Sequence, residues 1–280
     1  MLLKPTSTLA VTSPTLTAAL RDDKQTDLTV DLSKTRFSMP GGLVAVACLI
    51  EDATENDQNV TFIPPGGSKP HNTKLKAFQD SGKYLYRMEL ASFLANHKIE
   101  PHLPSVRFHD TKTHLIELRR FSSPREAEDL SAFVFDSVSN ENGDDAARQV
   151  YQIIAELADN AIEHSKQGFG FMAMQRYPRK HKVEFCIGDI GIGLRASLSE
   201  SYDIRTDAEA IHKSVQRNIT STGMRGRGQG LADLIQFSTE TQVICGQAIV
   251  TFSQATGNAT EGQFADARFP GTLINTIVSF

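Results

Sequence analysis

Residues 145–165 read DAARQVYQIIAELADNAIEHS, and this segment carries the strongest structural signal in the chain. Its apolar residues recur at steps of three and four, which is the period of an amphipathic helix. Glu156 and Asn160 stand four residues apart and therefore share one face of that helix. We predict a helix over roughly residues 145–165 that presents an acid and an amide side by side.

The pair Glu156 and Asn160 suits phosphoryl chemistry. A carboxylate can orient an attacking water or accept its proton, and an Asn side-chain oxygen is a neutral, hard ligand for Mg²⁺. A rigid helix that carries both groups fixes water against metal-bound phosphate, which is most of what phosphoryl transfer requires of a protein. A solvated helix face explains the same spacing, so the pair alone does not decide the function.

A second signal follows two predicted strands, Gly170–Tyr177 and Lys182–Gly188, where the chain reads Asp189-Ile190-Gly191-Ile192-Gly193. A carboxylate at a strand end can accept a hydrogen bond from the exocyclic amine of adenine, whereas the carbonyl oxygen of guanine would repel it. Gly191 and Gly193 leave out side chains where the backbone must turn tightly under a ring. In isolation the pattern fits a plain turn at least as well.

A third signal is the glycine-rich stretch Gly223–Leu231, which precedes a predicted apolar helix. The amides of such a loop can wrap a phosphate chain at a helix N-terminus. No Gly-Lys-Ser/Thr sequence closes the stretch, so it is not a Walker A loop, and it follows a polar loop rather than a strand. Arg225 and Arg227 can add positive charge there, although solvent-facing arginines are the plainer interpretation.

A fourth signal is Thr272 at the start of the last predicted strand, where its hydroxyl can join a water-bridged network around Asp189.

In this order and on these element types, the four motifs resemble the GHKL ATPase superfamily (gyrase, heat-shock chaperone, histidine kinase, MutL) over roughly residues 115–280. The resemblance implies an α/β fold, in which a mixed, largely antiparallel sheet of the Bergerat type carries helices on one face with the nucleotide between them. The layout is most similar to the ATPase domains of anti-sigma-factor kinases. ATP and Mg²⁺ are the implied cofactors, and the segment from about Leu194 to Arg225 is the implied mobile lid.

The same resemblance assigns roles to individual residues. Glu156 is the implied catalytic base or water-orienting group, and Asn160 is the implied Mg²⁺ ligand. Asp189 is implied to contact adenine, with support from Thr272. The other implied nucleotide-binding residues, which flank the base and the phosphates, are Gly191, Gly193, Gly226, Arg227, Gly228, Gly230 and Leu231.

The first part of the chain alternates predicted strands and helices: strands at 28–32 and 59–63, and helices at 43–50 and 84–94. The strand-turn-helix that contains Val30-Asp31-Leu32-Ser33 and Gly42-Leu43 resembles a STAS domain, as in anti-sigma-factor antagonists. Those antagonists carry a phosphorylated serine just before the Gly-Leu pair, where this chain has Gly41. We therefore predict a flexible N-terminal arm (1–27), a STAS-like α/β domain (28–110) without that switch, and a GHKL-type ATP-binding domain (111–280).

The 280 residues are 40% hydrophobic and 22% charged, with a formal net charge of −4, which is ordinary for a soluble globular protein. This charge argues against wholesale binding to nucleic acid or to acidic membranes, and no apolar run reaches the roughly 18 residues that a membrane helix needs. Cys48, Cys186 and Cys245 are widely spaced, so we interpret them as inert thiols in a reducing, cytoplasmic environment.

Three functions remain open on the sequence alone. The first is a Mg-dependent, slow ATP hydrolase that acts as a nucleotide-driven regulatory switch. The second is a serine/threonine protein kinase that resembles the anti-sigma-factor kinases, and the third is an ATP-binding module without turnover. A histidine kinase is disfavoured because no histidine stands in a phosphoacceptor context. We expect ATP and a protein partner or regulator as binding partners, and we leave a homodimer open. We expect slow turnover, because the last predicted strand is not followed by the domain that supplies a phosphate-sensing lysine in topoisomerases and MutL-like proteins.

Overall fold

The computed structural model describes residues 2–3, 8–11, 27–67, 76–106, 115–216, 230–264 and 268–280. These residues form eight α-helices and twelve β-strands, which confirms the predicted α/β class. The strands are β1 (Leu2–Leu3), β2 (Thr8–Leu9), β3 (Leu28–Asp31), β4 (Phe37–Ser38), β5 (Val60–Ile63), β6 (Leu115–Phe121), β7 (Gly170–Tyr177), β8 (Lys182–Gly188), β9 (Glu240–Gly246), β10 (Ala248–Ser253), β11 (Ala259–Gln263) and β12 (Phe269–Ser279). The helices are α1 (Pro40–Glu55), α2 (Lys76–Arg87), α3 (Leu90–Asn96), α4 (Pro124–Asn142), α5 (Asp144–His164), α6 (Gly193–Ser199), α7 (Asp207–Ser214) and α8 (Gly230–Phe237).

A seven-stranded sheet in the order β11-β10-β9-β12-β8-β7-β6 forms the centre of the molecule. Each neighbouring pair of its strands is antiparallel, so the sheet is antiparallel throughout where the resemblance implied a mixed one. β8 lies between β12 and β7 and is buried from Val183 to Gly188. Its almost wholly apolar sequence follows from this position, because both faces of the strand are covered.

One face of the sheet, here called the front face, packs against the helices α4, α5 and α8. Met172 and Phe185 of the sheet join Ile154 and Leu157 of α5 in one buried cluster. The stripe of apolar residues at helical spacing is therefore the side of α5 that faces the sheet, as the sequence predicted. None of the helices in the described ranges is long and apolar enough to cross a membrane.

The other face of the sheet, here called the back face, is covered by α1 from the N-terminal part of the chain. α1 is buried at every residue from Pro40 to Ile50, which explains its long apolar run. Val44 and Cys48 lie against Gly188 of β8, where an added Cβ would come within 3.0 and 3.1 Å of their side chains. The N-terminal part therefore shares one hydrophobic core with the sheet, and helices cover both faces where the resemblance implied one.

The N-terminal part also holds two small parallel sheets, β1-β3-β5 and β2-β4. β2 crosses the start of α1 so closely that a Cβ on Gly42 would lie 2.6 Å from the carbonyl group of Leu9. The predicted strand-turn-helix order is confirmed here. The STAS resemblance stays a prediction, and the predicted boundary at residue 110 lies outside the described residues.

An ion-paired group fastens α3 and α1 to the edge strand β6. Nε2 of His97 lies 2.7 Å from Oε2 of Glu51 on α1. The Nε atom of Arg120 on β6 lies 3.9 Å from Oε1 of the same carboxylate, and its guanidinium stacks 3.8 Å from the centre of the Phe169 ring. The hydrogen bond to Glu51 is the largest influence on His97 and raises its pKa.

Two predicted elements differ from those observed, and one observed strand was not predicted. The helix predicted at 84–94 is divided into α2 and α3, because Glu89 adopts a left-handed φ of 61°. The sequence from Gln242 to Phe252 reads as a single strand, but it forms the hairpin of β9 and β10, which turns at Gly246 with a φ of 55°. β11 was not predicted, and every one of its residues is exposed, so it has no alternation of apolar and polar residues that could reveal it.

Candidate functional site

The acid and the amide of α5 lie where the helix meets the start of α8. Glu156 and Asn160 are both half-buried. A Cβ added to Gly230, the first residue of α8, would lie 2.8 Å from Cδ and from Oε2 of Glu156. A Cβ at this position would therefore force the Glu156 side chain to move, and glycine lets the carboxylate lie directly against the start of α8. The structure therefore brings the predicted catalytic carboxylate together with the last residue of the predicted phosphate loop.

Asp189 lies directly after β8, at the opposite end of the predicted site. Its amide donates to the carbonyl of Thr272 on β12 at 2.9 Å, and its Oδ1 accepts from the amide of Gly191 at 2.8 Å. Leu273 pairs with Gly188, so Asp189 and Thr272 are the next residues in register and both point to the front face. The predicted partnership of Asp189 with Thr272 thus has a geometric basis in the sheet.

Asp189 is buried, with 8% of the residue exposed. Burial raises its pKa to about 7, while the backbone hydrogen bonds from Gly191 and Thr272 act in the opposite direction. A desolvated carboxylate favours a ligand that can donate a hydrogen bond to it, since such a donor offsets the loss of water.

Two glycines pack so tightly around Asp189 that no side chain fits at either position. A Cβ on Gly191 would lie 2.2 Å from Cα of Ser165, at the end of α5. A Cβ on Gly271 would lie 2.5 Å from Oδ1 of Asp189, and the φ of Gly271 is +89°. Gly191 was expected from the sequence to lie at this turn, but the role of Gly271, within β12, as a packing partner of Asp189 is visible only in three dimensions.

The turn that contains Gly191 continues into α6, and the side chain of Cys245 holds the start of that helix. Sγ of Cys245 accepts the amide hydrogen of Leu194 at 3.1 Å. Gly193 precedes this contact with a φ of +75°. From the sequence, Cys245 was expected to be an inert thiol, because nothing in its local sequence indicates a contact with a residue 51 positions away.

The predicted lid, from about Leu194 to Arg225, contains α6 and α7 in its described part. Thr206-Asp207-Ala208-Glu209 has the spacing of a capping box, and Thr206 and Glu209 cap α7 reciprocally. Asp207 at the start of α7 accepts the amide hydrogen of Gln247 at 2.8 Å and so fastens α7 to the β9–β10 hairpin. The mobility that the resemblance implies for this segment stays a prediction.

A half-open cavity of about 690 Å³ lies beside the turn 190–193. Its walls include Gly191, Gly193 and Gly271 together with Asp52 and Glu55 at the end of α1. The side chains of Glu156, Asn160 and Asp189 lie outside its wall in the described structure. The cavity therefore adjoins the predicted purine end of the site and does not enclose the predicted phosphate end.

Several predicted site residues are placed differently or not at all. Leu231 is 8% exposed and packs in the front-face core between α8 and α5. Gly226, Arg227 and Gly228 lie outside the described residues. Their predicted contacts with phosphate therefore stay predictions.

Comparison with known proteins identifies one family. Residues 145–258 match the model of the family described as histidine kinase-, DNA gyrase B-, and HSP90-like ATPase. The matched segment contains Glu156, Asn160, Asp189 and Gly230, and it ends in the turn before β11. No curated protein matches the chain. The family match supports an ATP-binding domain of the GHKL type in this segment, while the likeness to anti-sigma-factor kinases stays a prediction.

Proposed function

We propose that this chain binds ATP with Mg²⁺ through its GHKL-type domain and hydrolyses it slowly as a nucleotide-driven regulatory switch. The observation that carries the proposal is the contact between Glu156 and Gly230. It joins the carboxylate suited to orienting water with the end of the glycine-rich segment suited to holding phosphate. Both residues lie in the segment that matches the ATPase family model.

At the purine end, Asp189 is the group that selects adenine. Its carboxylate lies buried at the end of β8 beside Thr272, where a hydrogen-bond donor from the ligand replaces lost water. The exocyclic amine of adenine is such a donor, whereas guanine presents an acceptor at the same place. The side-chain-free turn at Gly191 and Gly193 lets the plane of the base approach the backbone.

At the phosphate end, Asn160 is the residue that would hold Mg²⁺. No cluster of three or more His, Cys, Asp or Glu side chains in the described ranges is arranged to hold a metal ion. A single amide oxygen, completed by phosphate oxygens and water, is the sparse set of ligands that Mg²⁺ accepts, since the ion keeps several of its waters. The bound ion would neutralise phosphate charge, while Glu156 orients the attacking water and accepts its proton.

Two contacts support a switch rather than a simple hydrolase. α6 begins at Gly193, within four residues of Asp189, so the position of this helix follows the turn that receives the base. On the back face, Val44 and Cys48 of α1 pack on Gly188, the residue before Asp189. The strand end that carries Asp189 is therefore in direct contact with the N-terminal part of the chain, so a shift of this strand end on nucleotide binding would reach α1.

Incubation with Mg²⁺ and ATP labelled on the γ-phosphate tests the proposal. Slow release of free phosphate, abolished by a chelator, with no label on any polypeptide is the expected result. Label transferred to an added partner protein would instead favour the kinase, and ATP binding with neither product would favour a module without turnover. Failure of the protein to bind ATP at millimolar concentration in calorimetry would overturn the proposal itself.

A further inference from the structure

Cys245 lies on the front face of the sheet, in the same row as the two residues assigned to the purine. It pairs with Thr272 across β9 and β12, and Thr272 lies next to Asp189 across β12 and β8. Its side chain is 2% exposed and belongs to the front-face core. The thiol is therefore built into the floor of the site rather than into a remote part of the core.

The thiol caps the start of α6 from across the fold. Ile192, the residue before the first turn of α6, provides no side-chain cap. Sγ of Cys245 accepts the amide hydrogen of Leu194 at 3.1 Å, and a backbone hydrogen bond from Arg195 also acts on the thiol. Amides at the start of a helix have no partner within the helix, so this sulfur satisfies donors that the helix itself leaves unpaired, in a part-buried contact.

The turn before α6 is held between Cys245 and Gly271. An ideal Cβ on Gly193 would lie 3.1 Å from Sγ of Cys245 and 3.3 Å from the carbonyl oxygen of Gly271. Gly271 in turn packs on the carboxyl group of Asp189. The distance between the turn and the carboxylate is thus fixed by a chain of direct contacts that ends at the sulfur.

We propose that Cys245 is a positioning residue for purine recognition, which holds the turn Gly191–Leu194 at the distance from Asp189 that an adenine ring requires. This inference rests on the proposed ATP site. Without the sulfur acceptor, the amide of Leu194 must find another partner, so the turn shifts relative to Asp189. Such a shift weakens the selection of adenine over guanine as well as the affinity for nucleotide.

The thiol acts as a neutral group. Burial raises the pKa of Cys245 to about 11, although the backbone hydrogen bonds from Arg195 and Leu194 lower it. A protonated, buried thiol is a poor nucleophile, which separates this structural role from a redox or catalytic one. Cys186 offers a matched comparison, since it is equally buried but lies in the back-face core.

The test compares three variants by calorimetric titration with ADP and with GDP, alongside thermal unfolding. Cys245→Val removes the acceptor with little change in volume, and we expect about tenfold weaker ADP binding, the effect of one lost hydrogen bond, with a reduced preference for ADP over GDP. Cys245→Ser keeps an acceptor and should recover most of that preference. Cys186→Val should lower the unfolding temperature while leaving the preference unchanged.

Unchanged affinity and preference in a folded Cys245→Val protein would overturn the inference, as would a Cys245→Ser protein as impaired as the valine variant. If Cys245→Val shows no cooperative unfolding transition, Cys245→Ala removes the same acceptor without a branched side chain and replaces it in the test. Failure of the unaltered protein to bind either nucleotide would instead refute the proposed function, so the two failures are distinguishable.

Discussion

Gly271 packs against the carboxyl group of Asp189 so closely that an added Cβ would lie 2.5 Å from Oδ1 and 2.4 Å from the backbone carbonyl oxygen. The φ of Gly271 is +89°, a conformation that residues with side chains rarely adopt. The last strand of the sheet thereby fixes the carboxylate that the proposal assigns to adenine. This relationship makes Gly271 a sensitive test of the purine end of the site.

Gly271→Ala should abolish ADP binding, because the new methyl group displaces Asp189. Gly67→Ala is the matched control, since Gly67 has a φ of +88° and nothing within 4 Å of an added Cβ. Both variants carry the backbone strain of roughly 1–2 kcal/mol, but only the first carries the collision. Calorimetric titration of the two folded proteins with ADP distinguishes them, and equal affinities would contradict the assignment.

Asp189→Asn should reduce ADP affinity by about 100-fold or more, because the variant loses the charge-assisted hydrogen bond and leaves polar atoms unpaired. The fold should persist, since Asn has nearly the same shape. Circular dichroism checks the fold, and calorimetry checks the binding. Binding at the original affinity would show that the base lies elsewhere.

Glu156→Ala should keep ATP binding and lose hydrolysis, because the proposal assigns this carboxylate to the water at the γ-phosphate and not to the base. We expect a rate reduced by roughly 10²- to 10⁴-fold, the usual contribution of a general base. Glu163→Ala on the same helix is the control, since Glu163 is exposed. An equal loss of binding in the Glu156 and Asp189 variants would refute the division of roles.

Binding of adenosine should strengthen as the pH rises to about 7 and then level off. Burial raises the pKa of Asp189 to about 7, and the ionised form is the one competent for tight binding, because a carboxylate accepts the amine hydrogen more strongly than a protonated carboxyl group does. Below that pKa, each further drop of one pH unit lowers the ionised fraction of Asp189 about tenfold. Adenosine is the probe because it has no phosphate that titrates in this range. An affinity that stays constant between pH 5.5 and 8 in the folded protein would contradict the role of the carboxylate.

His97 should stabilise the protein at low pH through its contact with Glu51. The hydrogen bond raises the pKa of His97 in the folded state, so its contribution is fully present below the unfolded pKa of about 6.5. The contribution is lost as the pH rises through the folded pKa. The difference in urea unfolding free energy between the unaltered protein and His97→Gln should therefore shrink between pH 5.5 and 8.5.

His212→Gln is the control for this measurement, because the pair formed by His212 and Glu261 is largely exposed. Exposed ion pairs contribute little to the free energy of unfolding, typically about 0–1 kcal/mol. A pH-dependent difference of the same size in both variants would contradict a special role for His97.

The parts of this structure that were predictable depend on local spacing. Glu156 and Asn160 share a helix face whatever surrounds the helix, and the glycines after Asp189 indicate a tight turn by themselves. The parts that were not predictable depend on which strands become neighbours. Cys245 reaches Leu194 only because β9 pairs with β12, a pairing that no local pattern specifies.

The position of α1 illustrates the same limit. The apolar run from Leu43 to Ile50 predicts a buried helix, and the structure confirms one. An apolar run does not specify which surface covers it, so its packing on the back of the sheet was not predictable. The hairpin at Gly246 was missed because apolar, strand-forming residues stand on both sides of Gly246-Gln247, while the positive φ of Gly246 is a property of the folded chain.

The most direct test of the proposed site is a crystal structure of the protein with Mg²⁺ and a non-hydrolysable ATP analogue. The amine of the base should lie within hydrogen-bonding distance of the Asp189 carboxylate, with the triphosphate reaching Asn160 and Glu156 on α5. An analogue bound only in the cavity beside Asp52 and Glu55, or absent at saturating concentration, would contradict the site.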